Sequence, residues 1–260
     1  MKRITVMYFS PTGTTKKITG AIAASLADAV KGEIRAVDLT ERQARAQSFV
    51  FEEADILVFG YPVYAGRVPQ TVQEVMSRIQ GNRALAIPVA VYGNRDYEDA
   101  LIEGVDLFMQ RGCQVPAAAA FIGEHSYSDK VAAGRPDASD LDKAKIFGQK
   151  IAEKIESGDF SGSLSVKGNR PYKDPMPDMP FAPETTQACT NCGLCAQKCP
   201  MGVIDPLDAA KVDSAGCILC CACVKICPVH GKILDEAPIR KIRNMLETKF
   251  TQRKEPEWFL

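Results

Sequence analysis

Nine of the ten cysteines lie between residues 189 and 227, and only Cys113 lies elsewhere. They form two stretches, CTNCGLCAQKCP (189–200) and CILCCACVKICP (217–228), which align at an offset of 28 residues. Cys189, Cys192, Cys195 and Cys199 match Cys217, Cys220, Cys223 and Cys227, and Pro200 matches Pro228. Cys221 aligns with Gly193 and is the extra thiol. Thiolates are soft ligands, and cysteines at steps of three bring successive sulfurs to one centre within a single tight loop. In a reducing cytosol such density argues for metal rather than disulfides. A zinc site is the alternative, because C-x2-C also builds zinc ribbons. Zinc does not need eight cysteines in a doubled register, so iron–sulfur chemistry is the stronger reading.

C-x2-C-x2-C-x3-C-P given twice resembles the bacterial two-cluster ferredoxins. In that family the fourth cysteine, just before proline, serves the other cube. The resemblance implies one 4Fe–4S cluster on Cys189, Cys192, Cys195 and Cys227, and a second on Cys217, Cys220, Cys223 and Cys199. Cys221 reads as a small buried side chain beside a cluster, and His230 as a surface residue near the second one.

A second chemical signature opens the chain. SPTGTTKK (10–17) follows a strand-like run and begins a helix. Hydroxyls of Ser10, Thr12, Thr14 and Thr15, the permissive Gly13 and the free N–H groups of a helix start together make an anion cradle. It fits neither a P-loop nor a G-x-G-x-x-G frame. On this loop alone, a simple capped helix start is the competing explanation.

These groups need a scaffold, and residues 1–157 supply one. RITVMYF (3–9), EIRAVDL (33–39), ADILVFG (54–60), ALAIPVAVY (84–92) and CQVPAAAAFI (113–122) are apolar and partly β-branched, as strands buried on both faces of a parallel sheet are. Helical patterns alternate with them at 14–30, 71–80, 96–112 and 138–158, and Ile18, Ile22, Leu26 and Val30 form one apolar stripe. Gly32, Gly81, Gly112 and Gly158 sit where these helices should stop, and Asp137 or Ser139 should cap the last one. The alternation predicts a doubly wound α/β layer structure. Its ligand edge collects the loops after the strands, YPVYAGRVP (61–69) and YGNRDYEDA (92–100) among them.

SPTGTT resembles the phosphate loop of flavodoxins, and the two later loops resemble their ring-contacting loops. The resemblance spans about residues 1–157 and implies a flavodoxin-like five-stranded parallel sheet that binds FMN. It places the phosphate on Ser10, Thr12, Gly13, Thr14 and Thr15. The ring would lie between Pro62, Val63, Tyr64, Ala65 and Gly66 on one side and Tyr92, Gly93, Asn94, Arg95, Asp96 and Tyr97 on the other. Tyr64 and Tyr97 are the candidate stacking residues. Flavodoxin halves fused to two-cluster ferredoxin halves form a family common in anaerobic bacteria, and the whole chain resembles such a fusion. GEHSYSD (123–129) lies outside those motifs; His125 and Tyr127 would share the same rim, either as ordinary loop residues or facing a substrate.

The expected organisation is a flavodoxin-like domain at 1–157, a Pro-rich linker at 158–187, a smaller α+β two-cluster ferredoxin domain at 188–236, and a C-terminal amphipathic helix and tail at 237–260. Tyr172, Met176, Met179 and Phe181 are apolar anchors that a free tether would not need, so linker and tail should clamp the two halves together. At 260 residues the length suits one ordinary domain plus a smaller one. Thirty-two basic residues balance 32 acidic ones, so no net field favours nucleic acid or an anionic membrane. No apolar run approaches a membrane span, and MKRITVMYFS lacks a signal-peptide pattern, which predicts a cytoplasmic location.

Two functional classes share these cofactors. One is an electron-transfer flavoprotein passing low-potential electrons between the clusters and FMN. The other is a ferredoxin-dependent FMN reductase acting on a quinone, nitro or enoyl-type acceptor. No dinucleotide fingerprint marks an NAD(P)H site, which points to a ferredoxin-like protein as donor or acceptor, and a head-to-tail homodimer is the alternative to transfer within one chain. Two complete ligand sets predict eight irons and eight labile sulfides per chain. Cys221→Ala should leave that count intact in an iron assay, whereas Cys192→Ala or Cys220→Ala should lose one cube and destabilise the module.

Overall fold

The computed structural model describes residues 2–260 except 159, 161–163, 176 and 178. The N-terminal half runs β1 (Arg3–Tyr8), α1 (Thr14–Val30), β2 (Glu33–Asp38), α2 (Arg42–Arg45), β3 (Phe49–Val50), β4 (Asp55–Pro62), α3 (Gln70–Met76), β5 (Ile79–Gln80), β6 (Leu85–Tyr92), α4 (Ala100–Gln110), β7 (Ala118–Ile122) and α5 (Ala138–Ser157). The C-terminal half adds β8 (Glu184–Thr185), α6 (Leu194–Lys198), α7 (Ala222–Ile226), β9 (Lys232–Ile233), α8 (Ala237–Lys249) and β10 (Glu257–Phe259). Among the described residues no helix is long and apolar enough to cross a membrane.

The main sheet is ordered β10-β7-β6-β4-β1-β2. Its five parallel strands follow the flavodoxin-like order, with a switch point between β1 and β4. Strands β4, β6 and β7 are buried almost throughout, as their unbroken apolar runs require. On one face Ile18, Ile22 and Leu26 of α1 pack with Phe147 and Ile151 of α5. On the other face Val72 and Val75 of α3 pack with Leu101, Val105 and Phe108 of α4.

Several local expectations shift, each for an identifiable reason. EIRAVDL forms β2 at the sheet edge, so Glu33 to Ala36 are exposed rather than buried on both faces. The 71–80 pattern breaks at Ser77, and Ile79–Gln80 pairs instead with Phe49–Val50. Helix α4 starts at Ala100 rather than 96, because Asp96 accepts the Glu98 N–H and Glu98 sits at φ 44°. Asp137 caps α5 in a capping box with Asp140, and Gly158 closes it at φ 64°.

A sixth strand joins the five parallel ones. Residues 257–259 pair antiparallel with β7 and set Trp258 against the core on one sheet face and Phe259 against the core on the other. Trp258 stacks on Phe147 with ring centroids 6.0 Å apart. Alternation, which points successive side chains to opposite faces, makes three residues of the EWF tail serve both layers.

Linker residues lie along the sheet domain. Arg170 and Tyr172 bind Asp106, at 2.8 Å from Arg170 Nε, and Asn169 and Lys173 donate backbone N–H groups to Asp99 at 2.8 and 2.7 Å. Met179 and Phe181 pack with Leu219, Leu234 and Ile239. Met176 lies outside the described residues. Glu184–Thr185, within the expected linker, pairs with Lys232–Ile233 in a two-stranded antiparallel sheet.

Candidate functional site

A cleft of about 330 Å³ opens at the carboxyl ends of β1, β4, β6 and β7, within the range of small-molecule sites. Thr12, Thr14 and Thr15 line it at the start of α1. Gly13, the N-cap residue, stands at φ 85°, a left-handed turn that lets the chain enter the helix abruptly. The first N–H groups of α1 have no intrahelical acceptor, so this end of the cleft is rich in donors. Ser10 braces the loop from behind: its Oγ accepts the Lys16 N–H at 3.0 Å, and it does not line the cleft.

After β4, Pro62, Val63, Tyr64, Ala65 and Gly66 form one wall. A tight hairpin shapes it, with Tyr64 and Arg67 exchanging backbone bonds at 3.1 and 3.0 Å while Ala65 and Gly66 both take positive φ. Arg67 is held bidentately by buried Glu103, at 2.9 and 2.6 Å. After β6, Tyr92, Gly93, Arg95 and Asp96 line the opposite wall.

Two expected ligands turn away. Asn94 is buried and donates its amide to the carbonyls of Phe250 and Gln252 at 2.7 and 2.8 Å. Tyr97, expected to stack on the ligand, is 1% exposed, packs against Tyr92, and donates its hydroxyl to Glu257 at 2.9 Å. Both residues hold the C-terminal tail, a role invisible without knowing that the tail folds back onto the sheet.

Residues outside the flavodoxin-like motifs complete the cleft. His125 and Tyr127 lie on its rim, as their place after the fifth parallel strand suggested. Gly93 packs so close that a β-carbon there would sit 2.4 Å from His125 Cδ2. The Tyr127 N–H donates to His125 Nδ1 at 3.1 Å. Burial, aided by the Arg95 and Lys225 cations, pushes the His125 pKa down to about 4. Ile218, Leu219 and Cys220 from the cysteine module, with Ile242, Met245 and Leu246 of α8, close the side facing it. No local sequence signal placed these six at the cleft; only the packing of the halves brings them here.

The cysteines line two further cavities. Cys189, Cys192, Cys195 and Cys227 surround one, and Cys199, Cys217, Cys220, Cys221 and Cys223 surround the other. Among the described residues no three His, Cys, Asp or Glu side chains converge to hold a single ion. Thiols spread around a cavity fit a multi-iron cube, which presents four separate irons to four ligands. Burial pushes the Cys220 and Cys223 thiols up to about 12, so ligation must displace their protons. Cys221 is 2% exposed and opens α7 at φ 61°, where its repeat partner Gly193 opens α6 at φ 75°. It packs with Leu219, Leu234 and Ile239. His230 is exposed.

The two halves meet through specific polar contacts. Lys225 binds Glu124 at 2.8 Å and also Asp129, while Arg243 donates to the Tyr127 carbonyl at 2.8 Å. Glu247 accepts from Ser128 and Lys130, each at 2.8 Å. Arg45, buried, reaches the Pro200 carbonyl beside Cys199.

Residues 5–128 match the family model of the flavodoxin domain, and residues 184–244 match that of the 4Fe–4S dicluster domain. A curated relative, the methylamine utilization ferredoxin-type protein MauM of Methylobacillus flagellatus, is 29% identical over 94 residues. That match covers 29% of this chain and 40% of the relative, so the chain spans about two fifths of the relative's length. Among solved structures, a flavodoxin from the domain Archaea is 16% identical with a TM-score of 0.43, covering 59% of this chain and 99% of that one. An azoreductase from Bacillus anthracis is 16% identical with a TM-score of 0.41, covering 59% and 100%. The two domain matches identify FMN and two 4Fe–4S clusters as the cofactors, and an FMN and iron–sulfur electron-transfer role.

The His125 environment yields a pH test. Its unfolded pKa is about 6.5, so the depressed folded value makes protonation favour unfolding. The associated stability is present above pH 6.5 and is lost as pH falls toward 4. Denaturation at pH 7 and pH 5 should show wild type losing about 2 kcal/mol more than His125→Gln over that interval.

Proposed function

We propose that this chain, a flavodoxin domain fused to a 4Fe–4S dicluster domain, passes low-potential electrons between two cubes and FMN within a single molecule. One observation carries the reading: Ile218 and Cys220 line both the flavodoxin cleft and the adjoining cysteine cavity. Occupants of the two sites would be separated by little more than one side chain. FMN exchanges electrons singly or in pairs, so it can join one-electron centres to a two-electron partner.

In this reading Cys189, Cys192, Cys195 and Cys227 hold an outer cube, and Cys199, Cys217, Cys220 and Cys223 an inner one. Cys192 is the exposed member of the outer set, making that end the natural approach for a ferredoxin-like partner protein. Thr12, Thr14, Thr15 and the opening N–H groups of α1 would bind the phosphate. The 62–66 hairpin and Tyr92, Gly93, Arg95 and Asp96 would flank the ring, with Tyr64 as its aromatic cover. Tyr64 lies against the Cys217–Cys221 loop, and burial there pushes its hydroxyl pKa well above the ordinary phenol value, keeping it neutral. Residues 1–157, 158–187, 188–236 and 237–260 then act as flavin domain, strap, cluster domain and clamp, the cluster domain reaching back to include β8.

His125 and Tyr127 on the cleft rim favour a second reading, reduction of a small organic acceptor at the flavin with the clusters as electron inlet. Turnover of quinone, nitro or enoyl compounds with reduced ferredoxin would support it.

Two measurements test the main proposal. Gly13→Val forces a branched side chain into a left-handed turn, at a cost of about 1–2 kcal/mol, and should lower the FMN recovered by acid extraction. Stopped-flow reduction of the clusters should show flavin bleaching at a rate independent of protein concentration. A rate proportional to concentration means transfer between molecules, as in a head-to-tail dimer, and defeats the single-chain route.

A further inference from the structure

Lys232 is one of the most deeply buried side chains in the protein, at 2% exposed. A lysine in that position normally has a carboxylate partner. Its Nζ instead donates to the Ala209 carbonyl at 2.5 Å and the Pro183 carbonyl at 3.5 Å. Among the described residues no carboxylate forms an ion pair with it within 4.0 Å. Asp208 feels its charge, but that carboxylate stays at the surface, paired with Lys211 at 3.3 Å and bonded to the Ala210 N–H. Removing an ammonium from water without a counter-charge costs several kcal/mol.

Sulfur surrounds this cation. Lys232 lines the cavity of Cys189, Cys192, Cys195 and Cys227. It does not line the cavity of Cys199, Cys217, Cys220, Cys221 and Cys223. The 28-residue repeat sharpens the point, because it pairs Lys232 with Ile204. Ile204, 5% exposed, lines the other cysteine cavity. One cavity therefore carries a buried cation where its twin carries a hydrocarbon.

We infer that Lys232 is the built-in counter-charge of the outer cube and sets an inequality between the two cubes. Four thiolates leave a cube anionic, and reduction adds one more negative charge. A fixed cation on one side favours the reduced form there and raises that cube's potential above its twin's. An electron in the pair then rests on the cube at the exposed Cys192 end, the end a partner protein can reach.

The test is a redox titration of the cluster-loaded protein followed by electron paramagnetic resonance. In Lys232→Met the gap between the two midpoints should narrow by at least tenfold in the reduction equilibrium constant, about 59 mV for a one-electron couple. Lys232→Arg, which keeps the charge, should retain the wild-type gap. An unchanged gap in a fully loaded Lys232→Met protein overturns the inference. If Lys232→Met fails to load, loading of Lys232→Arg sustains the charge role, and failure of both shows that side-chain shape is what matters and overturns it. The inference rests on the ligand sets proposed above; failure of those sets appears separately, as a wild-type iron count other than eight.

Discussion

Electrons tunnel quickly only across short gaps, so two redox sites on separate modules are useful together only when their walls are shared. Here the Cys217–Cys221 loop belongs to the cysteine module yet forms part of the flavodoxin cleft. The rest of the architecture holds that loop in place. Lys225 on α7 is gripped by Glu124 and Asp129, Arg45 reaches the Pro200 carbonyl, and α8 inserts Ile242, Met245 and Leu246 beside the loop. Exposed ion pairs contribute little singly. Tyr127, Met179 and Phe181 add apolar contact with Leu219, Leu234 and Ile239.

Burial and charge oppose each other throughout the cysteine module. Burial pushes Cys195, Cys217, Cys220, Cys221 and Cys223 toward protonation, while backbone N–H groups and Lys232 pull Cys227 the other way against burial. Gly231 donates its N–H to Cys227 Sγ at 3.1 Å, and Asn191 donates its N–H to Cys189 Sγ at 3.3 Å. Such donors are worth most to an anionic sulfur, so the loops are already arranged for thiolate.

Much of this was legible in the sequence because the signals were local. The twelve-residue cysteine stretches, given twice in register, and SPTGTT before a helix are each compact signals, and unbroken apolar runs marked the central strands. What escaped was non-local. EIRAVDL has the composition of an interior strand, but being an edge is a property of neighbours. Tyr97 carries the aromatic ring expected of a flavin cover, yet Glu257, far along the chain, claims its hydroxyl. The tail EPEWFL offers three strand residues among charges, too few for periodicity to show. The cleft wall from Ile218 to Cys220 depends on docking between halves, which no window of sequence contains.

Strand β10 carries a consequence for how the protein is made. Its partner β7 leaves the ribosome far earlier, so the nascent sheet presents a bare edge of unpaired backbone groups until residues 257–259 arrive. The same late segment carries the carbonyls that Asn94 grips and the Glu257 that Tyr97 holds. Translation therefore leaves Asn94 and Tyr97 without these partners while the domain around them is already folding from its N-terminus. The loop after β6 gains its last hydrogen-bond partners only when the end of the chain has been synthesised.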